Sequence, residues 1–269
     1  MSIVISISYF IFGTIIGSFL NVVALRHNTN RTLRGRSHCF SCNKTLSWRE
    51  LVPVFSYLFS LGRCRSCGSK ISLQYPAVEL LTGVLFVGVF LKFSSFLETH
   101  FLSFIFSNMI SLLVMCLLVI ILIYDIRHKI IPDTFVYTFI ALPFSITSFI
   151  LFVNITTQQI VTLQMLLPFL AGPILFLPFF LLSFLSRGAW MGYGDGKLAL
   201  GIGWFLGLHG GFTAILLAFW IGAIVGVLLL LFGRSKKFTM KSAIPFAPFL
   251  ILGFMVVFFF DILILDFIL

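Results

Sequence analysis

Apolar residues run in unbroken stretches of roughly 20 along almost the whole chain, each long enough to cross a bilayer core as a helix. Short polar or glycine-rich connections separate them, with one long polar loop near the start. The stretches fall at about residues 3–25, 76–97, 102–124, 131–153, 164–186, 197–210, 212–232 and 245–267. A transmembrane β-barrel would instead alternate apolar and polar positions over segments of about ten residues. The pattern predicts an all-α polytopic membrane protein of about eight transmembrane helices with a cytoplasmic loop.

Composition supports this reading. The 269 residues are 60% hydrophobic and 10% charged, where water-soluble domains carry about 25% charged residues. The formal net charge is +10, and nine of the eighteen Lys and Arg lie between Arg26 and Lys70. Glu50 is the single acid there, so that loop carries +8 (nine minus one). So local an excess points to membrane orientation and to anionic lipid heads; no fold for base recognition is visible, and nucleic acid is not an expected partner.

Met1 to Ile16 has no basic residue ahead of its apolar run, and the positive charge follows from Arg26. This order predicts a retained first helix, an outer amino terminus and a cytoplasmic loop over 26–75. Segments 125–130, 187–196 and 233–244 then also face the cytoplasm. With their edges, these four segments hold every Lys and Arg except Lys92, seventeen to one. The stretch 197–210 is short, and Gly201, Gly203 and Gly207 mark it for close helix packing, with an outer connection at His209 to Gly211. A re-entrant segment there would put Arg234, Lys236, Lys237 and Lys241 on the wrong side. Pro143, Pro168, Pro173 and Pro178 fall inside spans and are expected to bend them.

Within the loop, Cys39-Phe40-Ser41-Cys42 and Cys64-Arg65-Ser66-Cys67 form two C-x-x-C knuckles separated by twenty-one residues. Four thiolates so arranged suit one tetrahedral zinc ion, with Gly62 and Gly68 in the tight turns; His38 reads as a surface neighbour before a substitute ligand. The alternative is a pair of disulfides, which a reducing cytoplasm disfavours. A closed four-thiolate site is structural rather than catalytic.

Only eight acids are present. Glu50, Glu98, Asp261 and Asp266 read as solvated or interfacial groups. Glu79 stands near the start of the second span, as a helix-dipole partner or a pocket residue. Asp125 ends the third span, and Asp195 lies in the glycine-rich turn Met191-Gly192-Tyr193-Gly194-Asp195-Gly196-Lys197 before the sixth. A carboxylate inside a bundle is a functional candidate by default. Two brought close do not both ionise; one keeps its proton, which gives the acid/base pair of aspartic proteases. The glycines beside Asp195 would let backbone approach an extended peptide. The alternative is two unrelated interfacial aspartates, one offset by Arg127 or Lys129 and the other by Lys197. Asp133, after Pro132, is a natural first-turn acid and a secondary candidate.

Taken in order, Gly17-Ser18-Phe19-Leu20-Asn21, the two knuckles, Gln74-Tyr75-Pro76-Ala77-Val78-Glu79-Leu80, Asp125 through Pro132-Asp133, and Gly192-Tyr193-Gly194-Asp195 span nearly the full length. In this the chain resembles the bacterial type IV prepilin peptidases, membrane aspartic proteases of pilus, secretion and competence systems. The resemblance implies that Asp125 and Asp195 are the catalytic dyad, with Gly192, Gly194, Glu79, Lys197 and Asp133 binding or supporting substrate. The substrate would be the leader of a prepilin or pseudopilin, cut after a glycine at the cytoplasmic face of the inner membrane. The same resemblance implies S-adenosylmethionine-dependent methylation of the new amino terminus by the amino-terminal region; no glycine-rich dinucleotide turn is present. The expected layout is 1–100 for that region and 101–269 for a six-helix peptidase core. The rival function, a proton-coupled transporter using the same acids, would place them near the bilayer midplane.

Overall fold

The computed structural model of the chain describes residues 2–29, 35–158, 162–188, 190–232 and 244–263. Its helices are α1 (Ser2–Arg26), α2 (Phe55–Phe59), α3 (Gln74–Phe93), α4 (Phe96–Thr99), α5 (Phe101–His128), α6 (Asp133–Gln158), α7 (Leu163–Leu185), α8 (Tyr193–Phe232) and α9 (Ala247–Phe260). Two isolated β-bridges are the only extended pairing among the described residues. The chain divides into two compact units, Met1–Ile123 and Tyr124–Leu269, and the division falls inside α5.

In the first unit α1 and α3 pack together antiparallel. A Cβ on Gly13 would meet Gly83 and Phe86, and one on Gly17 would meet Glu79 and Thr82. Gly13 and Gly17 are four residues apart, the spacing that lets two membrane helices bring their backbones together. Tyr9 and Phe12 pack their rings on Phe90 and Phe86 at the other end of the seam.

The second unit is built around α8. This element is two helices joined at Gly207, whose φ of 74° and ψ of −178° are not helical. The chain reverses there: a Cβ on Gly211 would lie 3.2 Å from the Gly203 Cα, whereas eight residues of straight helix span about 12 Å. α7 and α9 pack on this hairpin, and α6 on its first arm. A Cβ on Gly203 would lie 2.7 Å from the Ala171 carbonyl oxygen and 2.9 Å from the Gly172 Cα. Gly203→Val is therefore expected to destabilise the unit by about 1–3 kcal/mol, the usual range for overpacking, read as a lower melting temperature in detergent.

One of the three prolines of α7, Pro173, is absorbed by a neighbour. Pro173 has no N–H to offer the Phe169 carbonyl one turn back, and the Trp204 indole N–H donates to that carbonyl at 2.7 Å.

Among the described residues, six helices are long and apolar enough to cross a membrane: α1, α3, α5, α6, α7 and α8 taken as one. The expected count of eight is not confirmed by helix length and composition. The arm of α8 before Gly207 runs 14 residues from Tyr193, about 21 Å, against a hydrocarbon core of about 30 Å. α9 also has only 14 residues. The reversal is at Gly207 (φ 74°) and not at 209–211, where Gly210 and Gly211 stay helical. The expected cytoplasmic segment carrying Arg234, Lys236, Lys237 and Lys241 lies outside the described residues, apart from Ile244, as do Asp266, loop positions 30–34 and part of the expected outer connection before α7.

Candidate functional site

Asp125 lies in the last turn of α5, which closes where Lys129 takes a left-handed conformation (φ 56°) and donates its N–H to the Asp125 carbonyl at 2.7 Å. The carboxylate is buried, with 4% of the residue exposed. It accepts a hydrogen bond from the Ala247 backbone N–H at the start of α9. Its Oδ2 is buried and has no hydrogen-bond partner among the described residues. Buried carboxylate oxygens are nearly always partnered, so this atom is set to engage something that enters.

Asp195 is the third residue of α8 and is also buried, at 9% exposed. Its carboxylate accepts the Gly192 backbone N–H, and its own N–H returns to the Gly192 carbonyl at 3.2 Å. The turn therefore folds back on the acid it carries. Asp125 and Asp195 are near enough to interact electrostatically. Each belongs to a helix end and neither to a helix middle, unlike the midplane acids of the transporter reading.

The glycines of this turn act differently from expectation. None of Gly192, Gly194 and Gly196 has a positive φ. A Cβ on Gly194 would lie 3.0 Å from the Ile131 Cβ, and one on Gly196 3.2 Å from Phe176 and Phe179. The chain's own side chains fill the space beside Gly194 and Gly196, so these two bring α8 close to α7 and the α5–α6 connection. Gly192 faces the Asp195 carboxylate, 3.4 Å from its Oδ2.

Two residues after Asp195, the Lys197 ammonium pairs with the Asp133 carboxylate at the start of α6. It also lies over the Tyr137 ring at 4.6 Å and the Tyr193 ring at 5.1 Å. Sequence reasoning missed both tyrosines. Tyr137 stands four residues after Asp133 and Tyr193 four before Lys197, a helical spacing that brings them onto the same faces. Each cation–π contact contributes about 0.5–1 kcal/mol and the exposed ion pair up to about 1 kcal/mol. Lys197→Met should therefore lower stability by about 1–3 kcal/mol in thermal unfolding, and Lys197→Arg should restore part of it.

In the first unit, the ligand atoms of Cys39, Cys42, Cys64 and Cys67 all lie within 4.8 Å of one another, and all four cysteines are free. The Cys39 and Cys67 Sγ atoms are 3.8 Å apart, the edge of a tetrahedron with metal–sulfur bonds of about 2.3 Å. The knuckles are built alike. Asn43 N–H donates to the Cys39 carbonyl and Gly68 N–H to the Cys64 carbonyl; Cys39 and Cys64 N–H donate to Lys44 and Ser69. Asn43 and Gly68 hold the left-handed turn position (φ 55° and 69°), so Asn43 serves the first knuckle as glycine serves the second. The Cys42 and Ser41 backbone N–H groups bring the Cys39 thiol down to about 6. Against the Lys44 backbone N–H, burial and the neighbouring thiols push Cys42 up to about 11, so the four thiols share their protons unevenly when no cation lies among them. His38 is not in this cluster; its ring packs near Phe40. The cluster can hold a metal ion.

Glu79 is buried in α3. It accepts the Val54 backbone N–H at 2.7 Å and a hydrogen bond from Ser18. Beside it, the Asn21 amide lies within reach of the Tyr75 carbonyl at 3.4 Å, and the Gln74 amide donates to the Asn21 oxygen at 3.3 Å. Val54 has φ 62°, an outlier for a β-branched residue that costs about 1–3 kcal/mol and persists only where its surroundings hold it. Glu79 is thus engaged with the loop within its own unit.

Two family models match the chain: the bacterial peptidase A24 N-terminal domain over residues 11–93, and the type IV leader peptidase family over residues 112–227. A prepilin leader peptidase/N-methyltransferase of Bacillus subtilis is 34% identical over 245 residues, covering 91% of this chain and 90% of that protein. Proteins of the same name from Xanthomonas campestris (30% identical, 92% and 88% covered) and Vibrio cholerae (28%, 94% and 96%) also match. No solved structure matches. With the matched models spanning both halves and relatives aligned over nine-tenths of its length, this multi-pass membrane chain belongs to the type IV leader peptidase family.

Proposed function

We propose that this chain is a membrane-embedded aspartic endopeptidase that removes the amino-terminal leader of type IV prepilins or pseudopilins at the cytoplasmic face of the inner membrane. Asp125 and Asp195 are its catalytic pair. The observation that carries this reading is the pairing of two buried carboxylates from the ends of α5 and α8, one with an unpartnered oxygen. Two such groups hold one proton between them. The ionised one draws a proton from water as that water attacks the scissile carbonyl. The protonated one hydrogen-bonds the carbonyl oxygen and then protonates the leaving amine. Gly192 and Ala247 each fix one carboxylate by a backbone N–H, and the Lys197–Asp133 pair ties the Asp195 turn to α6.

Zinc is the metal that four clustered thiolates favour, and Cys39, Cys42, Cys64 and Cys67 would hold it structurally. Methylation of the new amino terminus accompanies cleavage on the strength of the relatives' names, with S-adenosylmethionine as the methyl donor. The polar groups gathered where α1 meets α3 do not outline a site for it. Glu79, Asn21 and Gln74 are engaged with Val54, Ser18, Tyr75 and one another, and no step is assigned to them.

Co-expression with a prepilin-like substrate tests the reading. The substrate is expected to run as a shortened band whose new amino terminus follows the leader glycine. A substrate left at full length beside folded, membrane-inserted enzyme would overturn it.

A further inference from the structure

The loop between α1 and α3 presents apolar side chains outward. In α2, Phe55, Leu58 and Phe59 are 59%, 60% and 77% exposed, and Leu61 just beyond is 87% exposed. Residues 55, 58 and 59 share one helical face, and the Phe55 and Phe59 rings stack at 6.5 Å. Tyr57 points the other way, with its hydroxyl against Gly62 at the second knuckle. Trp48, exposed and capped by the Arg49 guanidinium at 5.3 Å, stands in the neighbouring turn.

The depth of this face is fixed by Glu79. α3 has 20 residues, about 30 Å, which is the thickness of a hydrocarbon core with nothing to spare. Gln74 therefore lies at the bilayer boundary, and Glu79, five residues further, about 7 Å inside it. The Val54 N–H bonded to Glu79 brings the first residue of α2 to that depth. In the loop that carries this face, Arg36, Lys44, Arg49, Arg63, Arg65 and Lys70 outnumber Glu50 six to one among the described residues. An apolar face at interfacial depth, a tryptophan at its edge and a basic surround are the composition of a segment lying in an anionic leaflet.

We propose that α2 and its flanks form an interfacial foot, with Phe55, Leu58, Phe59 and Leu61 inserted among phospholipid chains beside α3 and the loop cations on anionic headgroups. The foot fixes the height of the four-cysteine cluster above the membrane. The proposal goes beyond the peptidase reading and does not depend on the two aspartates.

A photoactivatable benzophenone amino acid placed at Phe55 or Phe59 of the full-length chain, in native membranes with a prepilin-like substrate co-expressed, tests it. Illumination is expected to give phospholipid adducts by mass spectrometry, several-fold more than the same probe at Thr45, an exposed, uncharged loop position away from the apolar face. Adducts mainly to the substrate, to a second copy of the chain or to another protein would overturn the proposal. So would lipid labelling no greater than at Thr45 in protein that retains the metal-binding capacity of the unsubstituted chain. Probe-bearing protein that loses this capacity is replaced by hydrogen exchange of the unsubstituted chain. There, protection of residues 55–61 in anionic nanodiscs over neutral ones is expected, and equal exchange in both overturns the proposal.

Discussion

Asp125→Asn and Asp195→Asn should each cut leader removal by at least about a thousandfold, in line with the roughly 10²–10⁴-fold that a positioned acid or base contributes and the loss of the nucleophilic water with it. Asparagine keeps the shape of the side chain and its capacity to accept the Ala247 or Gly192 N–H, so the fold should stand. What it removes is the shared proton and the site that takes one from water. Timed cleavage of a leader peptide by purified protein in nanodiscs measures the loss, with melting temperature as the check on folding. A variant that keeps more than a tenth of the wild-type rate would show that its carboxylate is not in the chemistry.

Replacing Cys39 and Cys64 by serine should abolish metal binding at the cluster proposed to hold zinc and unfold the loop around it. Between residues 35 and 73, Cys64 is the only apolar side chain that is buried. The loop thus has no core of its own, and the cluster stands where a core would. Structural zinc supplies on the order of 10 kcal/mol to folding in small metal-ordered modules, far more than the loop's turns can replace. The expected result is no zinc in the purified double variant and rapid trypsin cleavage at Lys44, Arg49, Arg63, Arg65 or Lys70. Helix content by circular dichroism should stay close to wild type, because the membrane helices do not pass through the cluster. A metal-free loop as resistant to trypsin as the wild type would contradict this account.

The helices and the four-cysteine cluster are legible because each leaves a local signature. Long apolar runs have few alternatives to helix in a bilayer, and two C-x-x-C knuckles name their own chemistry. Asp125 and Asp195 stood out because acids are rare in this chain. What stayed hidden depends on neighbours distant in sequence. The turn of α8 lies at Gly207 because Gly203 and Gly211 must meet across it. Gly194 and Gly196 read as room for a peptide, yet Ile131, Phe176 and Phe179 occupy that room. Glu79 reads as a dipole partner of α3 or a pocket residue, and the Val54 N–H that it accepts comes from 25 positions away in the loop. Tyr137 over Lys197 and the indole of Trp204 on the carbonyl freed by Pro173 likewise join separate helices.

The central claim is that the two aspartates act as one unit, and the Asp125→Asn/Asp195→Asn double variant tests it most directly. Groups that share a single task are non-additive. The account predicts that the double variant cleaves a leader peptide no more slowly than the slower of the two single variants. Losses that multiply, each single variant retaining activity that the pair of changes then reduces by the product of both factors, would mean that the carboxylates work separately.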